Sequence, residues 1–422
     1  MRLSVRWIYT LLLYLALPWA SLIVLIRGIR QRDYWRGWGE RFGFVGAAPA
    51  DVWVHAVSVG EVQAALILID ALRVESPSTS AVLTCATPTG RARARQQLAD
   101  TPVTYAPYDL PQALNRFLRR VRPRLLIVIE TELWPNMLNR ALRAGVPVLI
   151  ASARVSQRTA DFYRRFPGLL RPALQTNTWI AAQSESDADR FFRLGVPRER
   201  IQVAGNIKFD RSIAEDVVCR GALWRSGQAA DRPVWIAGST HPGEESIVLA
   251  AQRLVCVAIP TALLILVPRH PARFDGVARD IAATGLTCAR RSLGEAVTGA
   301  SVLLLDTLGE LVEFYAAADV AFVGGSLTEV GGHNLIEPAA VGIPVLSGPH
   351  QFNSPQVARA LSDQGGLDLV HDATELANAV VRLLSDPEAR AAQVAAAGRV
   401  ITASRGALSR VLALAATLIE GQ

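Results

Sequence analysis

The chain has 422 residues, too many for one ordinary domain, and its length predicts two or three. Half of the residues are hydrophobic and only 19% are charged, which excludes an intrinsically disordered chain and leaves enough apolar material for sizeable cores. The formal net charge of +7 points to an anionic partner: nucleic acid, acidic lipid or a phosphorylated substrate.

In chain order, the first element is WIYTLLLYLALPWASLIVLI (7–26), twenty residues without a charge. As a helix it would span about 30 Å, the hydrocarbon thickness of a bilayer. Trp7, Tyr9 and Trp19 are candidate interfacial anchors, and Pro18 predicts a kink that a membrane helix tolerates. A cleaved signal peptide would carry a shorter apolar run and a cleaner cleavage site, so a single spanning anchor is preferred, with an interfacial or hairpin-like association as the alternative. Arg2 and Arg6 precede the run, while Arg27, Arg30, Arg32, Arg36 and Arg41 follow it. The positive-inside rule then places residues 27–422 in the cytoplasm. The arginines after the run, interleaved with Tyr34, Trp35 and Trp38, suit anionic headgroups.

Beyond residue 50, short apolar runs alternate with helical patterns. Strands are predicted at 52–58, 81–87, 103–107, 125–131, 147–153, 179–183 and 201–206. Residues 207–232 are polar and read as a linker. The pattern then restarts at 233–239, 261–269, 301–307, 320–326, 344–348 and 367–371, and the chain closes in helices. Continuous apolar strands separated by helices mean buried parallel sheets. The prediction is an α/β protein with an N-terminal membrane segment (1–30), a first domain (31–206), a linker (207–232) and a second domain (233–422). Two such sheets would form a cleft, with ligands at the carboxyl ends of the strands. Cys85, Cys219, Cys256 and Cys288 are too scattered for a zinc finger or a disulfide scaffold and read as buried thiols.

Six polar clusters follow predicted strands. SVGEVQ (58–63) puts Glu61 in the first turn of a helix, either as a dipole partner or as a general base. ETELWPN (130–136) ends an apolar strand with Glu130 and Glu132, whose two-residue spacing puts both on one side of an extended chain. Such acids are costly to bury unless paired or solvated. AGNIKFD holds Lys208, the one lysine among 44 basic residues, and Asp210. VPRHP carries Pro268, Arg269 and His270, a place for an anion. DTLGELVEFY opens a helix at Leu308, Gly309 and Glu310. GGSLTEVGGHNLIEPAAVGIPVLSGP (324–349) combines glycines with the start of a helix at Asn334, Leu335, Ile336 and Glu337, a phosphate-tolerant arrangement. Glu337 could accept from a pair of sugar hydroxyls. Asp187-Ala188-Asp189 has the form of a DxD metal motif but sits where a helix start attracts acids, and the histidines show no metal spacing.

In this order, SVGE, ETELWPN, GNIKFD, VPRHP, LGEL and GGHNLIEPAA resemble the 3-deoxy-D-manno-octulosonic acid (Kdo) transferases of Gram-negative bacteria, from the anchor to about residue 410. The resemblance implies a GT-B fold, two Rossmann-like domains facing across a cleft, with donor CMP-Kdo on the second domain and a lipid A precursor as acceptor. It implies a metal-independent enzyme without a cofactor beyond its donor, at the cytoplasmic side of the inner membrane, with no nucleic-acid partner. Carried over residue by residue, Glu61 matches the catalytic base, and Glu130 and Lys208 match transition-state stabilising positions. Pro268, Arg269, Leu308, Gly309, Glu310, Asn334, Leu335, Ile336 and Glu337 match the segments that contact CMP. Other readings remain: a membrane-associated GT-B transferase using a UDP-sugar, or a non-catalytic, membrane-tethered nucleotide- or lipid A-binding protein.

Overall fold

The computed structural model describes residues 5–30, 32–210 and 213–421. Arg2, counted in the charge bias, lies outside the described residues, as do residues 211 and 212 of the expected linker. The described chain forms two compact units. The first holds residues up to Asp210 and those from Ser404 onward, and the second holds the stretch between.

The first unit begins with one unbroken helix, Val5–Arg30, with Pro18 inside it. Residues 5–26 of this helix are long and apolar enough to cross a membrane. Among the described residues, seven parallel strands follow: β1 (Val52–His55), β2 (Ala81–Cys85), β3 (Val103–Tyr105), β4 (Leu125–Ile129), β5 (Val148–Ala153), β6 (Thr178–Ala182) and β7 (Ile201–Val203). Their spatial order is β3-β2-β1-β4-β5-β6-β7, a doubly wound sheet that reverses between β1 and β4. The central strands are buried along their whole length because helices cover both faces, which is why they read as uninterrupted apolar runs. Trp53, Phe117 and Leu126 pack in the core of one face, and Val54, Leu68 and Ile127 in that of the other.

The second unit has its own sheet: β8 (Val234–Thr240), β9 (Leu263–Pro268), β10 (Cys288–Arg290), β11 (Val302–Leu304), β12 (Val320–Val323), β13 (Val345–Ser347) and β14 (Leu367–Leu369). The order is β10-β11-β9-β8-β12-β13-β14, all parallel, with the reversal between β8 and β12. Strand β10 is absent from the sequence reading. It is a three-residue edge strand, CAR, too short and too polar to make an apolar run.

Two expected boundaries are corrected. Residues 207–232 are not a linker: Ile207–Asp210 is a 3-10 turn of the first unit, and Glu215–Gln228 is a helix of the second. That helix packs Trp224 on Phe314 at 4.9 Å, and its Arg220 meets Glu313 at 2.9 Å. The second domain does not run to residue 422. The closing helix Ala407–Glu420 returns to the first unit, where Val411, Leu412 and Ala415 join the core that contains β4 and β5 residues Ile127 and Leu149. Asp210 anchors its start by accepting from Leu408 N at 2.7 Å. The cysteines are free, but only Cys85 is buried, and Cys219 is exposed.

Candidate functional site

In the first unit, β1 and β4 flank the reversal, and open parallel sheets bind ligands beyond the carboxyl ends of such strands. Ser58 N-caps the helix Val59–Glu75 just after β1. Glu61, its third residue, reaches back so that Oε2 accepts from Val57 N at 2.6 Å and Ser58 N at 3.3 Å. Ser58 Oγ accepts from Glu61 N in return, completing a capping box. The capping role and a place at the switch point thus coexist in one buried carboxylate. Burial raises the proton affinity of Glu61 against the backbone N–H groups that lower it, and the neighbouring Glu130 adds to the rise.

Strand β4 ends at Ile129, and Glu130 leaves it at φ +61°, a backbone state that costs a non-glycine residue about 1–3 kcal/mol. This turn overrides the expected alternation, so Glu130 and Glu132 do not share a strand face. Glu130 is bracketed by two cations: Oε1 meets Lys208 Nζ at 2.6 Å and Oε2 meets Arg154 Nε at 3.0 Å. The Glu130 side chain is 5% exposed and that of Lys208 11%, so the lysine is no solvated linker residue. It lies in the 3-10 turn after β7, and Arg154 follows β5. Glu132 accepts from Trp134 Nε1 at 2.6 Å, and the Trp134 ring stands 4.6 Å from that of His55. Burial first, then the charge of Glu61, pushes Glu132 up to about 7. Three carboxyls and two cations thus converge at the switch point. Arg154 escaped the sequence reading, although a cation directly after a buried strand was the available signal.

In the second unit, β9, β8 and β12 are neighbours, and their carboxyl ends carry the next cluster. Pro268 is the last residue of β9, and Arg269 N donates to Thr240 O at 2.9 Å. His241 follows β8, and its Nε2 lies 2.8 Å from His333 Nε2, the two rings stacked at 12°. The His270 ring meets that of His241 edge-on at 5.1 Å. Burial holds His333 down at about 3 and lowers His241 and His270, so this cluster is neutral near pH 7 and Arg269 carries the charge beside it.

The glycine-rich loop holds an anion of its own. Glu244, fully buried, accepts from Gly325 N at 2.6 Å and from Ser326 N and Leu327 N at 2.8 Å, and from His241 N at 3.0 Å. The N–H groups of Gly332 and His333 are bonded to Gly325 and Gly324 carbonyls. The N–H groups of Gly325, Ser326, Leu327, Gly332 and His333 are therefore spent on shaping the loop. Glu244 was visible only as a helix-start acid and gave no other signal.

Asn334 Oδ1 accepts from Ile336 N at 3.0 Å and starts the short helix Ile336–Val341, while Leu335 and Ile336 turn into the core. Any ligand contact by those two is through backbone. Glu337 is half-buried on the same turn. Beyond β11, Leu308 is exposed and Gly309 takes φ +91°. Glu310 pairs with Arg291 at 2.8 Å, and although burial opposes it, the bonds from Arg291 and Thr307 hold its carboxyl below the usual range. Asp187 accepts from Val155 N at 3.1 Å and pairs with Arg190 at 3.0 Å, and Asp189 pairs with Arg198, so both acids are engaged around the helix Glu185–Leu194. Among the described residues, no group of three or more His, Cys, Asp or Glu is placed to hold a metal ion.

A family model described as 3-deoxy-D-manno-octulosonic-acid transferase matches residues 36–211, and one described as group 1 glycosyl transferases matches residues 235–400. The chain is 38% identical to a 3-deoxy-D-manno-octulosonic acid transferase of Haemophilus influenzae, covering 98% of this chain and 99% of that one. It is 38% identical to the protein of the same description from Bordetella pertussis, covering 96% and 98%. A solved structure of a UDP-N-acetylglucosamine 2-epimerase from Listeria monocytogenes superposes with a TM-score of 0.55 at 15% identity, covering 89% of this chain and 98% of that one, a likeness of fold alone. The fold is of the GT-B class, with two Rossmann-like units and an apolar N-terminal helix.

Proposed function

We propose the following for a chain that belongs to the 3-deoxy-D-manno-octulosonic acid transferase family, and is therefore a glycosyltransferase: it moves Kdo from CMP-Kdo to a lipid A precursor (lipid IVA) in lipopolysaccharide core biosynthesis. The observation that carries the mechanism is the switch-point cluster, with buried Glu61 beside a Glu130 held between Lys208 and Arg154.

In this reading the ionised Glu61 carboxylate accepts the proton of the acceptor hydroxyl as that oxygen attacks the anomeric carbon of Kdo. The new carbon–oxygen bond forms, the bond to the phosphate oxygen breaks, and CMP leaves with the electron pair. Attack on the face opposite the leaving group inverts the anomeric centre. Raised proton affinity makes Glu61 a better acceptor than an exposed glutamate. Lys208 and Arg154 offset the negative charge that builds up, and Glu130 keeps both cations in place. No metal or cofactor takes part.

The second unit holds the donor. Arg269 supplies the positive charge for the phosphate, and Pro268, Leu308 to Glu310 and Asn334 to Glu337 frame the nucleotide. The Glu244-braced loop and the neutral imidazoles support that frame. The apolar helix attaches the enzyme to the cytoplasmic face of the inner membrane, where its lipid acceptor resides.

Product mass spectrometry tests this reading. Incubating the full chain with lipid A precursor and CMP-Kdo is expected to add the mass of Kdo, and a UDP-sugar in place of CMP-Kdo is expected to add nothing. Glu61→Gln is expected to lower turnover by about 10²–10⁴-fold with CMP affinity by calorimetry unchanged. A product from the UDP-sugar alone would overturn the donor, and full turnover by Glu61→Gln would overturn the base.

A further inference from the structure

The motif ETELWPN contains more than its acids, and the mechanism leaves Trp-Pro-Asn without a task. Pro135 opens the helix Pro135–Arg143 at the carboxyl end of β4. Asn136 N and Met137 N, in its first turn, donate to the Asp109 carboxylate at 3.0 and 2.7 Å, and Asn136 Nδ2 donates to Asp109 O at 2.7 Å. This knot receives the N-terminal helix. Tyr9 OH donates to Asp109 Oδ2 at 2.9 Å and Thr10 Oγ1 to Asn136 Oδ1 at 3.2 Å. Arg6 bonds the Asn139 side chain, and Tyr14 bonds that of Gln112. Thr10 is buried, and Tyr9 packs against the core of the first unit.

These four contacts are made by the residue just before the apolar run and by three in its first half. A helix crossing the bilayer would carry them to the far side and break all four. What remains beyond Tyr14, residues 15–26, rises about 18 Å at 1.5 Å per residue, against about 30 Å of hydrocarbon. The chain then returns to the same unit. Trp35 Nε1 donates to Leu25 O, its ring lying where a side chain at Gly28 would stand. Glu40 pairs with Arg91 at 2.5 Å and accepts from Tyr105 N at 2.7 Å. Both ends of the helix are thus tied to one unit.

We propose that the N-terminal helix is a monotopic anchor that dips into one leaflet of an anionic bilayer with residues 15–26, while Arg6, Tyr9, Thr10 and Tyr14 stay clamped to the rim that carries Glu130. The occupant of the exposed apolar face is lipid. Leu15, Trp19, Leu22, Ile23 and Ile26 are exposed, Trp19 at 71%. An apolar face of this length left in water is a liability for aggregation. Arg140 and Arg143 end the helix that receives the clamp, where anionic headgroups would neutralise them. Burial and the neighbouring Arg143 lower the Arg140 guanidinium from its ordinary value. The clamp also fixes one end of the loop between Glu130 and Asn136, which holds the reacting groups at the bilayer surface.

The proposal rests on the membrane reading above, and the test separates the two. The full chain carries a protease-cleavable tag before Met1, in sealed membrane vesicles from expressing cells. Exposed Cys219, labelled by an impermeant maleimide, reports the side on which the second unit lies. In vesicles labelled at Cys219, the tag is expected to be cleaved without detergent. Protection of the tag until detergent is added would overturn the monotopic anchor and leave a spanning one. Failure of the untagged chain to sediment with vesicles of phosphatidylethanolamine and phosphatidylglycerol would overturn the membrane reading itself. The double substitution Tyr9→Phe with Thr10→Val is expected to keep vesicle binding and CMP affinity while turnover of vesicle-embedded acceptor falls roughly tenfold. Unchanged turnover would remove the clamp from the positioning of the site.

Discussion

Glu61 and Glu132 cannot both ionise freely, and the order in which they do so governs the pH response. Glu61 sits on two backbone N–H groups, while Glu132 has the indole of Trp134 and is pushed up to about 7 by burial and by the Glu61 charge. Glu61 therefore loses its proton first. When Glu132 follows, the added negative charge makes Glu61 a stronger base. The rate is expected to rise with pH in two steps, the second near 7. Glu132→Gln is expected to abolish the second step and keep the first, measured as kcat/KM against pH. The stability sign is the reverse of the usual carboxylate case. A folded value above the unfolded one means the native state binds more protons between about 4.3 and 7, so this group's contribution falls as pH rises through that window. Glu132→Gln is expected to flatten that decline in urea unfolding. Lys208 allows a second separation. Lys208→Met leaves Glu130 with one cation in a buried site, at a cost of about 3–5 kcal/mol in stability. Lys208→Arg keeps the charge, so it is expected to fold better than Lys208→Met yet turn over far more slowly, because a planar fork does not reproduce a compact ammonium. Equal stability of the two variants would remove the ion pair from the account.

At the scale of the element, the sequence announces strands well and boundaries poorly. The buried runs around Val54, Ile127 and Ile236 are legible because a strand covered on both faces has no reason to alternate. Glu61, Glu130 and Lys208 are legible as residues out of keeping with their surroundings. What was hidden depends on contacts between distant segments. The helix Glu215–Gln228 looks like a linker because only Gly221 is buried in it. That glycine is nonetheless its packing point: a Cβ there would stand 2.2 Å from Glu313 O. Gly221→Ala is expected to force the helix off its neighbour at a cost of about 1–3 kcal/mol, read as a lower urea midpoint for the second unit. The loop at 324–327 conceals the same kind of information. Its glycines are conspicuous, but the group that the N–H of Gly325 binds is Glu244, 81 residues earlier in the chain. Glu244→Gln replaces an acceptor oxygen with a donor facing N–H groups, each unsatisfied one costing roughly 1–3 kcal/mol. CMP affinity is expected to fall with it, while vesicle binding, which belongs to the other unit, stays unchanged.

For the molecule as a whole, the net charge of +7 takes on a location. Arginines at the clamp and after the apolar helix belong to the unit that would meet an anionic surface, which favours lipid over nucleic acid as the partner. The chain also closes on that unit. The described residues from Ser404 onward leave the second unit and complete the first, so segments from both sides of the second unit share one fold, and the first unit is complete only once the closing helix Ala407–Glu420 has been made. Leu412 shows the consequence. It is buried in the core that contains Ile127 and Leu149, far along the chain from both. Leu412→Ala is expected to cost about 2–5 kcal/mol. By amide hydrogen exchange, β4 and β5 are expected to lose protection while β8 and β12 keep theirs, because a cavity is felt within the unit that contains it. If β8 and β12 loosened instead, the closing helix would belong to the second unit, as the order of segments along the sequence first suggests.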